Sequence, residues 1–326
     1  MSGLLRYVIK KIFVRFITFF IILTLTFIIP RLLPGGAFAY LIANPNVPPD
    51  MRLVLIKQFG LDKPIWEQYI IFLKEFFTTG NLGISFSRLK PVSQVIFEAL
   101  PWTVVLVTTS TVVAAILGIL LGLYAAYRRG GFFDSSVLVL SMLVRSMPGF
   151  WLGMVLLIVF GYYLGWAPLY GIRTYGVEYK SVFDYVADVL YHIWLPMITL
   201  IVLSLPGYVV LMRNNVVSML GEDFIVTARA VGASDRRVLL KWVLKPASPP
   251  ILMALAMDLG FSIGGAMLIE RVFSIPGVGT LAYDAVYMQD YPLLLGIVVY
   301  TSALTLALVT IVEIIHAFID PRVRLE

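Results

Sequence analysis

Side chains that carry catalysis or bind metals are scarce in this sequence. It contains no cysteine, and its only histidines, His192 and His316, lie far apart along the chain. A thiolate nucleophile, a disulfide framework and a histidine-based metal site are therefore not expected. The glycine-rich segment 276–279 lacks the Gly-Lys-Ser/Thr ending of a phosphate-binding loop, so ATP hydrolysis is not expected in this chain. These residue types predict a protein without catalytic residues, bound metal or a cofactor of its own.

Two charged residues, Arg145 and Asp258, stand within strongly apolar stretches of the sequence. Each lies about three helical turns after a polar residue, Asp134 or Ser248, that marks the cytoplasmic start of its stretch. If the stretches cross a bilayer, both charges lie near its midplane, where an unpaired charge is costly. Two interpretations stay open: an ion pair between two helices, or side chains that line the path of a polar or charged solute.

The composition requires a membrane around such stretches. The 326 residues are 60% hydrophobic and 13% charged, with a mean hydropathy of +0.92. Soluble domains are about 45–50% apolar and about 25% charged, so a globule of this size could not hide the excess apolar surface from water. The formal charge of +6 is typical of a membrane protein whose Lys and Arg collect in cytoplasmic loops, so no nucleic-acid partner is expected. The predicted fold class is an all-α integral membrane protein, with lipid as its surroundings.

Six stretches approach the roughly 20 mainly apolar residues that a helix needs to cross a bilayer. They are residues 9–29, 102–126, 135–165, 192–212, 247–269 and 292–318. The first is also typical of a cleavable signal peptide, but Arg31 and the Pro-Gly-Gly turn after it favour a retained helix. Most Lys and Arg outside residues 31–101 lie before the first stretch, after the second, fourth and sixth stretches, or at their ends. This bias predicts a multi-pass protein of the cytoplasmic membrane with both termini in the cytoplasm.

Two polar insertions interrupt the apolar stretches. Residues 31–101 are too long for a simple loop. Helical apolar spacing predicts an ordered external cap there, with a buried face made of Ile65, Tyr69, Phe72, Leu73 and Phe76. The second insertion, 213–246, is on the cytoplasmic side. The predicted domains are an N-terminal transmembrane helix (1–30), an extracytoplasmic cap (31–101) and a core with five transmembrane helices (102–326).

The cytoplasmic insertion has the pattern of two short helices around a glycine. Asp223 can cap a helix that continues to Ala230, and Gly232 can end it. Ser234 or Asp235 can cap a second helix, which carries basic residues on one face. Its predicted apolar face consists of Val238, Leu239, Trp242 and Val243. Such a pair either presents a rigid knob to a cytoplasmic partner or rests on anionic lipid as a basic amphipathic helix.

Several motifs resemble one protein family in its own order along the chain. Ala228, Gly232 and the basic, proline-containing run that follows resemble the cytoplasmic loop of ABC importer permeases. The family's Glu-Ala-Ala reads Val226-Thr227-Ala228 here, which is similar to the branch of dipeptide and oligopeptide importers and to its B-type subunit. Further motifs of that branch resemble Leu4–Lys11, Gly60–Pro64, Gln68-Tyr69, Ser146–Trp151, Glu270–Gly279, Asp290–Pro292 and Asp320–Arg322. Two motifs depart from the family, since its Gly-Asp-Pro reads Gly35-Gly36-Ala37 and its Gly-Asp-Leu-Gly reads Gly80–Gly83 with Asn81.

The resemblance implies a transport subunit whose ATP and magnesium are bound by other chains. It implies a heterodimer with a second homologous permease subunit, two ATP-binding subunits and an extracytoplasmic solute-binding protein. The residues expected to couple to the ATPase are Asp223, Thr227, Ala228, Arg229, Gly232, Ala233, Ser234, Asp235 and Arg236. The residues expected on the translocation path or at its gate are Arg145, Met147, Phe150, Asp258, Glu270, Phe273, Pro276 and Gly277.

Other functions stay open at this point. A stand-alone channel or secondary carrier would predict inverted repeats and intramembrane charges for a proton relay. An intramembrane enzyme would need the histidines and cysteines that the sequence lacks. Within the importer class, peptides are the expected solute, and the branch also includes importers of oligosaccharides and nickel chelates.

Overall fold

The structure is a computed structural model that describes residues 2–32, 48–50, 53, 57, 63–262 and 266–319. These residues are mainly helical, and the β-type pairing among them is one isolated bridge between Ile84 and Pro91. The predicted all-α class is confirmed for this part of the chain. The motif at 35–37, the start of the Gly60–Pro64 motif and the motif at 320–322 lie outside the described residues.

The helices have the following bounds in chain order. They are α1 (Ser2–Ile28), α2 (Ile65–Thr79), α3 (Val92–Tyr127), α4 (Phe132–Ser146), α5 (Gly149–Tyr163), α6 (Val182–Met219), α7 (Asp223–Ala230), α8 (Asp235–Ala247), α9 (Pro249–Ser262), α10 (Met267–Val272), α11 (Val278–Tyr287) and α12 (Tyr291–Ile319). Within the described ranges, α1, α3, α6 and α12 are each long and apolar enough to cross a membrane. The chain is therefore a multi-pass membrane protein.

The predicted third stretch is not one continuous helix. It divides into α4 and α5, which are bent by 100° relative to each other. Met147 separates them and has the extended backbone (φ −83°, ψ 134°) that a residue before a proline prefers. Pro148 therefore breaks a segment whose hydropathy alone is uniform.

The predicted fifth stretch is also divided. α8 and α9 meet with a bend of 49°. Pro249 and Pro250 open α9 and have no amide hydrogen with which to continue the ladder of α8. If each bent pair counts as one span, the described residues contain up to six spans, which is the predicted number.

The chain divides into two compact units, of which the first comprises residues 1–103, 263–267 and 276–326. In this unit α1 packs along α12. Lys11 Nζ and Arg15 Nη2 both lie close to the same Glu313 oxygen, at 3.3 and 2.8 Å. One carboxylate thus ties two cations of the first helix to the last helix.

The α2 helix packs on α1 through aromatic side chains. The Phe27 ring contacts the rings of Tyr69 and Phe72, and Phe19 contacts Phe76, with ring centres 5.0 to 5.8 Å apart. The predicted apolar face is therefore partly buried from Tyr69 onward, and the surface that covers it is the first helix.

Ile65 was predicted on that face but is 65% exposed. The contact with α1 begins one turn later, at the buried Gln68, whose amide oxygen accepts hydrogen bonds from Arg31 at 3.1 and 3.2 Å. Burial lowers the pKa of the Arg31 guanidinium to about 10, so it remains charged at neutral pH. The contact between α1 and α2 thus begins with the polar pair of Arg31 and Gln68, whereas the spacing predicted that it begins with Ile65.

The second unit comprises residues 104–262 and 268–275, and α3 crosses α6 closely in it. A Cβ added at Gly122 would lie 2.6 Å from the carbonyl oxygen of Val209 and 2.8 Å from the Met212 Cβ. A Cβ at Gly118 would clash with Tyr208. This glycine pair therefore permits the two helices to pack closely.

We expect Gly122→Ala to destabilise the protein by about 1–3 kcal/mol, because the added methyl group meets backbone that cannot move aside. Gly207→Ala is the matched control, since a Cβ at Gly207 in α6 meets open space. The control should be as stable as the wild type or more stable, by at most about 1 kcal/mol. Thermal unfolding in detergent compares the two variants. Equal unfolding midpoints for them would contradict the close crossing.

Candidate functional site

The predicted coupling segment begins with α7. The prediction that Asp223 caps this helix is wrong, because Glu222 occupies the capping position. Asp223 is the first residue of the helix, where its negative charge interacts favourably with the helix dipole. Ile225 and Ala228 are buried in a core formed with α6 and α8. Thr227 and Arg229 are exposed. The helix is thus anchored by one face and leaves the other face free.

Gly232 ends this helix in a left-handed conformation, with φ +84°. Its amide donates to the Arg229 carbonyl at 2.9 Å, and the amide of the half-buried Ala233 donates to the Ala228 carbonyl at 3.2 Å. The predicted break at this glycine is confirmed, because a side chain is strained at such a φ.

The start of α8 agrees with the predicted second helix. Ser234 occupies the capping position without a side-chain cap bond, and Asp235 and Arg236 begin the helix as exposed residues. Asp235 lies 3.6 Å from Arg229 across the glycine turn. The two short helices are therefore linked by the turn and by a surface ion pair.

Trp242 was predicted on the apolar face of α8 but is 42% exposed. Residues Val238–Val243 form a π-helix, which has a wider turn than an α-helix. The buried positions are 238, 239, 243 and 247, and the wider turn leaves position 242 outside this set. Other exposed apolar side chains of the segment are Phe224, Val226, Val231 and Leu240.

Of the two interpretations of Arg145 and Asp258, the ion pair is absent from the described part of the chain. Asp258 instead accepts a hydrogen bond of 2.6 Å from the hydroxyl of Tyr208 in α6. Both Arg145 and Asp258 are exposed, whereas Tyr208 is buried. Sequence analysis missed Tyr208, because nothing in the local pattern relates a tyrosine of the fourth predicted stretch to an aspartate of the fifth.

The other predicted path residues lie at or near the ends of helices. Met147 is the half-buried residue at the α4–α5 bend, and Phe150 is exposed just after it. Glu270 and Phe273 are buried in the second unit. Pro276 and Gly277 lie in the first unit, where Gly277 occupies the capping position of α11. The structure therefore does not describe these residues as one cluster.

A turn with the buried side chains of Phe273 and Ile275 follows α10. The Ile275 amide donates to the Glu270 carbonyl at 2.8 Å, and Ser274 within the turn has φ +54°. The Phe273 carbonyl accepts a hydrogen bond of 3.0 Å from Gly171, which belongs to the long loop before α6. The segment 270–275 is thus ordered by its own turn and by that loop.

The loop before α6 is organised by Asp188, which sequence analysis did not single out. Its carboxylate accepts hydrogen bonds of 2.7 Å from the Thr174 amide, the Thr174 hydroxyl and the Tyr179 hydroxyl. The bond to this carboxylate raises the pKa of the Tyr179 hydroxyl. The loop that touches Phe273 is therefore folded and held to α6.

A buried ion pair joins α4 to α6. The Asp134 carboxylate is almost fully buried and accepts Arg213 Nε and Nη2 at 2.9 and 2.8 Å. It also accepts the Gly130 amide at 2.9 Å. Asp134 had been interpreted only as the start of a span. Its partner is far away in sequence and leaves no local signal.

A second buried carboxylate, Asp290, lies at the start of α12. Its Oδ2 accepts the Ser85 hydroxyl at 2.5 Å, the Ser87 hydroxyl at 2.7 Å and the Ser87 amide at 2.8 Å. Its Oδ1 accepts the Leu293 amide at 3.2 Å and so caps the helix. One side chain therefore holds the 84–88 turn against the last helix.

Comparison with known proteins places these features in a family. Residues 118–325 match the model of the binding-protein-dependent transport system inner membrane component, and residues 4–107 match the N-terminal model of such membrane components. The dipeptide transport system permease protein DppB of Lactococcus lactis subsp. cremoris is 31% identical over 99% of this chain and 100% of its own length. The glutathione transport system permease protein GsiC of Escherichia coli O6:H1 is 33% identical over 98% and 99%, respectively. The oligopeptide transport system permease protein OppB of Haemophilus influenzae is 30% identical over 98% and 100%.

The matches cover nearly the whole chain, including the broken spans, the two short helices around Gly232 and the segment from α10 to α12. The chain belongs to the family of binding-protein-dependent transport system inner membrane components.

Proposed function

We propose that this chain is the permease subunit of an ATP-binding-cassette importer that moves dipeptides or oligopeptides across the cytoplasmic membrane. The observation that carries the proposal is similarity over nearly the whole chain to relatives named as permeases for dipeptides, oligopeptides and glutathione. The subunit has no enzymatic activity of its own. It pairs with a homologous second permease and two ATP-binding subunits, and it takes solute from an extracytoplasmic binding protein.

The segment 223–241 is the proposed docking element for an ATP-binding subunit. It faces the cytoplasm together with both termini, in accordance with the distribution of positive charge. Its inner face is anchored by Ile225 and Ala228, while its outer face combines exposed apolar side chains with Arg229 and Arg236. An apolar patch with a charged rim is typical of a protein interface, whereas a helix on lipid would need one continuous apolar face.

Transport proceeds by alternating access in this proposal. ATP closure of the partner subunits draws the docking elements together, and α6 and α9 carry the movement into the membrane. The energy enters as the differential affinity of ATP for the two conformations. The bent spans at Met147 and at Pro249 give the core places where helices can change direction, and the predicted path residues from Arg145 to Gly277 line or gate the route.

The region 31–101 is the proposed external cap, and its helix α2 packs on α1. The hydrogen bonds from Ser85 and Ser87 to Asp290, here called the Asp290 clamp, fix the 84–88 turn next to the start of α12. A cap fixed in this way offers the binding protein a defined surface.

Reconstitution tests the proposed function. The complete importer in proteoliposomes, supplied with its binding protein, should accumulate a labelled peptide only when ATP is present on the cytoplasmic side. Nucleotide-binding subunits should copurify with this chain. Peptide uptake that continues without ATP or without those subunits would favour a secondary carrier instead.

We expect Gly232→Val to lower peptide uptake per ATP hydrolysed by about tenfold while membrane insertion persists. A β-branched residue at φ +84° costs roughly 1–2 kcal/mol in the left-handed region, so the turn between the two short helices is displaced. Gly221→Val is the matched control, because Gly221 is exposed and lies outside the left-handed region. Uptake and hydrolysis measured on the same proteoliposomes give the ratio. Normal uptake and assembly of Gly232→Val would remove this segment from the coupling role.

A further inference from the structure

Asp258 lies on the side of α9 that faces α6. Ile251 is fully buried in the core that contains Tyr208 and Met212, and Ala254 and Leu255 pack against the same core. Asp258 follows at positions i+7, i+4 and i+3 from these residues, so it continues the same stripe of the helix. Asp258 is therefore exposed although it lies on the side of α9 that faces α6.

The Asp258 carboxylate is held in place by a hydrogen bond but has no cationic partner among the described residues. Tyr208 is buried and donates one hydrogen bond of 2.6 Å to Asp258 Oδ2, whereas Oδ1 accepts none from the described residues. Arg145, the cation predicted at this depth, does not pair with it. A tyrosine hydroxyl orients a carboxylate and leaves its negative charge in place.

The neighbouring helix α6 lacks one backbone donor. Pro206 lies inside α6, two residues before Tyr208. It has no amide hydrogen to give to the carbonyl of Val202 one turn earlier. An exposed carboxylate thus lies against a helix whose hydrogen-bond ladder is interrupted, and such a place within a membrane span attracts a cation.

We propose that Asp258, oriented by Tyr208, is a transient binding site for the terminal ammonium group of the transported peptide. This inference rests on the proposed function. Every linear peptide with a free amino terminus carries this group whatever its sequence, so one carboxylate serves many solutes. The site holds the ammonium by a charge-assisted hydrogen bond to Oδ1. The apolar stripe around it does not discriminate between the side chains of different peptides.

The test uses the complete importer in proteoliposomes with its binding protein. It measures uptake of one peptide with a free amino terminus and of the same peptide with an acetylated amino terminus. Both importers in each comparison receive solute from the same binding protein, so a change in the uptake ratio must arise in the permease. In Asp258→Asn the amide oxygen can still accept from Tyr208, and only the charge is lost.

We expect Asp258→Asn to lower the ratio of free to acetylated peptide uptake by about tenfold, the factor for a lost interaction of about 1.4 kcal/mol. Asp258→Glu should retain most of the ratio, and Tyr208→Phe should lower it less than Asp258→Asn does. Met257→Asn is the matched control, because it places the same amide on the adjacent exposed residue. The control should keep the wild-type ratio.

An unchanged ratio in Asp258→Asn, with normal uptake by the wild type, would overturn the ammonium site and leave the importer function standing. If Asp258→Asn fails to assemble, the ratio of free to acetylated peptide uptake is measured in Asp258→Glu and Tyr208→Phe instead. Wild-type ratios in both variants would overturn the ammonium site. The absence of any peptide uptake by the wild type would overturn the proposed function and the site together.

Discussion

Removal of either partner of the Asp134–Arg213 pair should destabilise the protein by about 3–5 kcal/mol, because a buried charge is then left without its counterion. Asp134 is nearly inaccessible, and its two oxygens accept two parallel bonds from the guanidinium. Water cannot replace these bonds without opening the contact between α4 and α6. We expect Asp134→Ala and Arg213→Ala each to show this loss as a lower unfolding midpoint in detergent.

The double variant Asp134→Leu with Arg213→Met should recover most of that stability, since both charges disappear and similar volumes remain. The matched control is the surface pair of the same residue types, Arg229 and Asp235, at 3.6 Å and more than half exposed. Asp235→Ala should change the unfolding free energy by less than about 1 kcal/mol. If Asp134→Ala and Asp235→Ala unfold alike, the buried pair does not stabilise the core.

Asp290→Ala should cost at least about 3 kcal/mol, because one truncation leaves several donors without their charged acceptor. The Ser85 and Ser87 hydroxyls, the Ser87 amide and the capping bond from Leu293 all depend on this carboxylate. We expect the turn at 84–88 to detach from α12 before the protein unfolds as a whole. External protease should then cut near Arg88 or Lys90 faster than in the wild type.

Asp290→Asn separates charge from geometry in this clamp, because its amide has a single oxygen to offer to donors that share Oδ2 and Oδ1. The stability and the cleavage rate of Asp290→Asn should lie between those of Asp290→Ala and the wild type. Glu98→Ala is the matched control, since Glu98 forms only exposed bonds with Lys90 and Gln94. Its cleavage pattern and unfolding midpoint should remain those of the wild type. Wild-type cleavage of Asp290→Ala would contradict the clamp.

Hydropathy determined the membrane class and the number of candidate spans, because the approximate length of an apolar run depends only on local composition. It did not determine where a span bends. Met147-Pro148 and the pair at 249–250 break helices through backbone geometry, which an average over about 20 residues hides.

Local chemistry also determined the break at Gly232. A glycine between two amphipathic segments needs no tertiary information to end a helix, and the left-handed φ at this residue agrees with the prediction. The exposure of Trp242 did require the structure. Its side is set by the π-helical turn at Val238–Val243, and the sequence gives no sign of that wider period.

Pairing between charged groups was decided by the tertiary structure alone. Depth along a helix placed Arg145 and Asp258 at similar levels, but depth leaves open the direction in which each side chain points. The crossing of α6 and α9 brings Tyr208 to Asp258, and the packing of α4 on α6 brings Arg213 to Asp134. These partners are separated by 50 and 79 residues. Hydrogen bonds act over about 3 Å, so only the folded chain selects which distant groups meet.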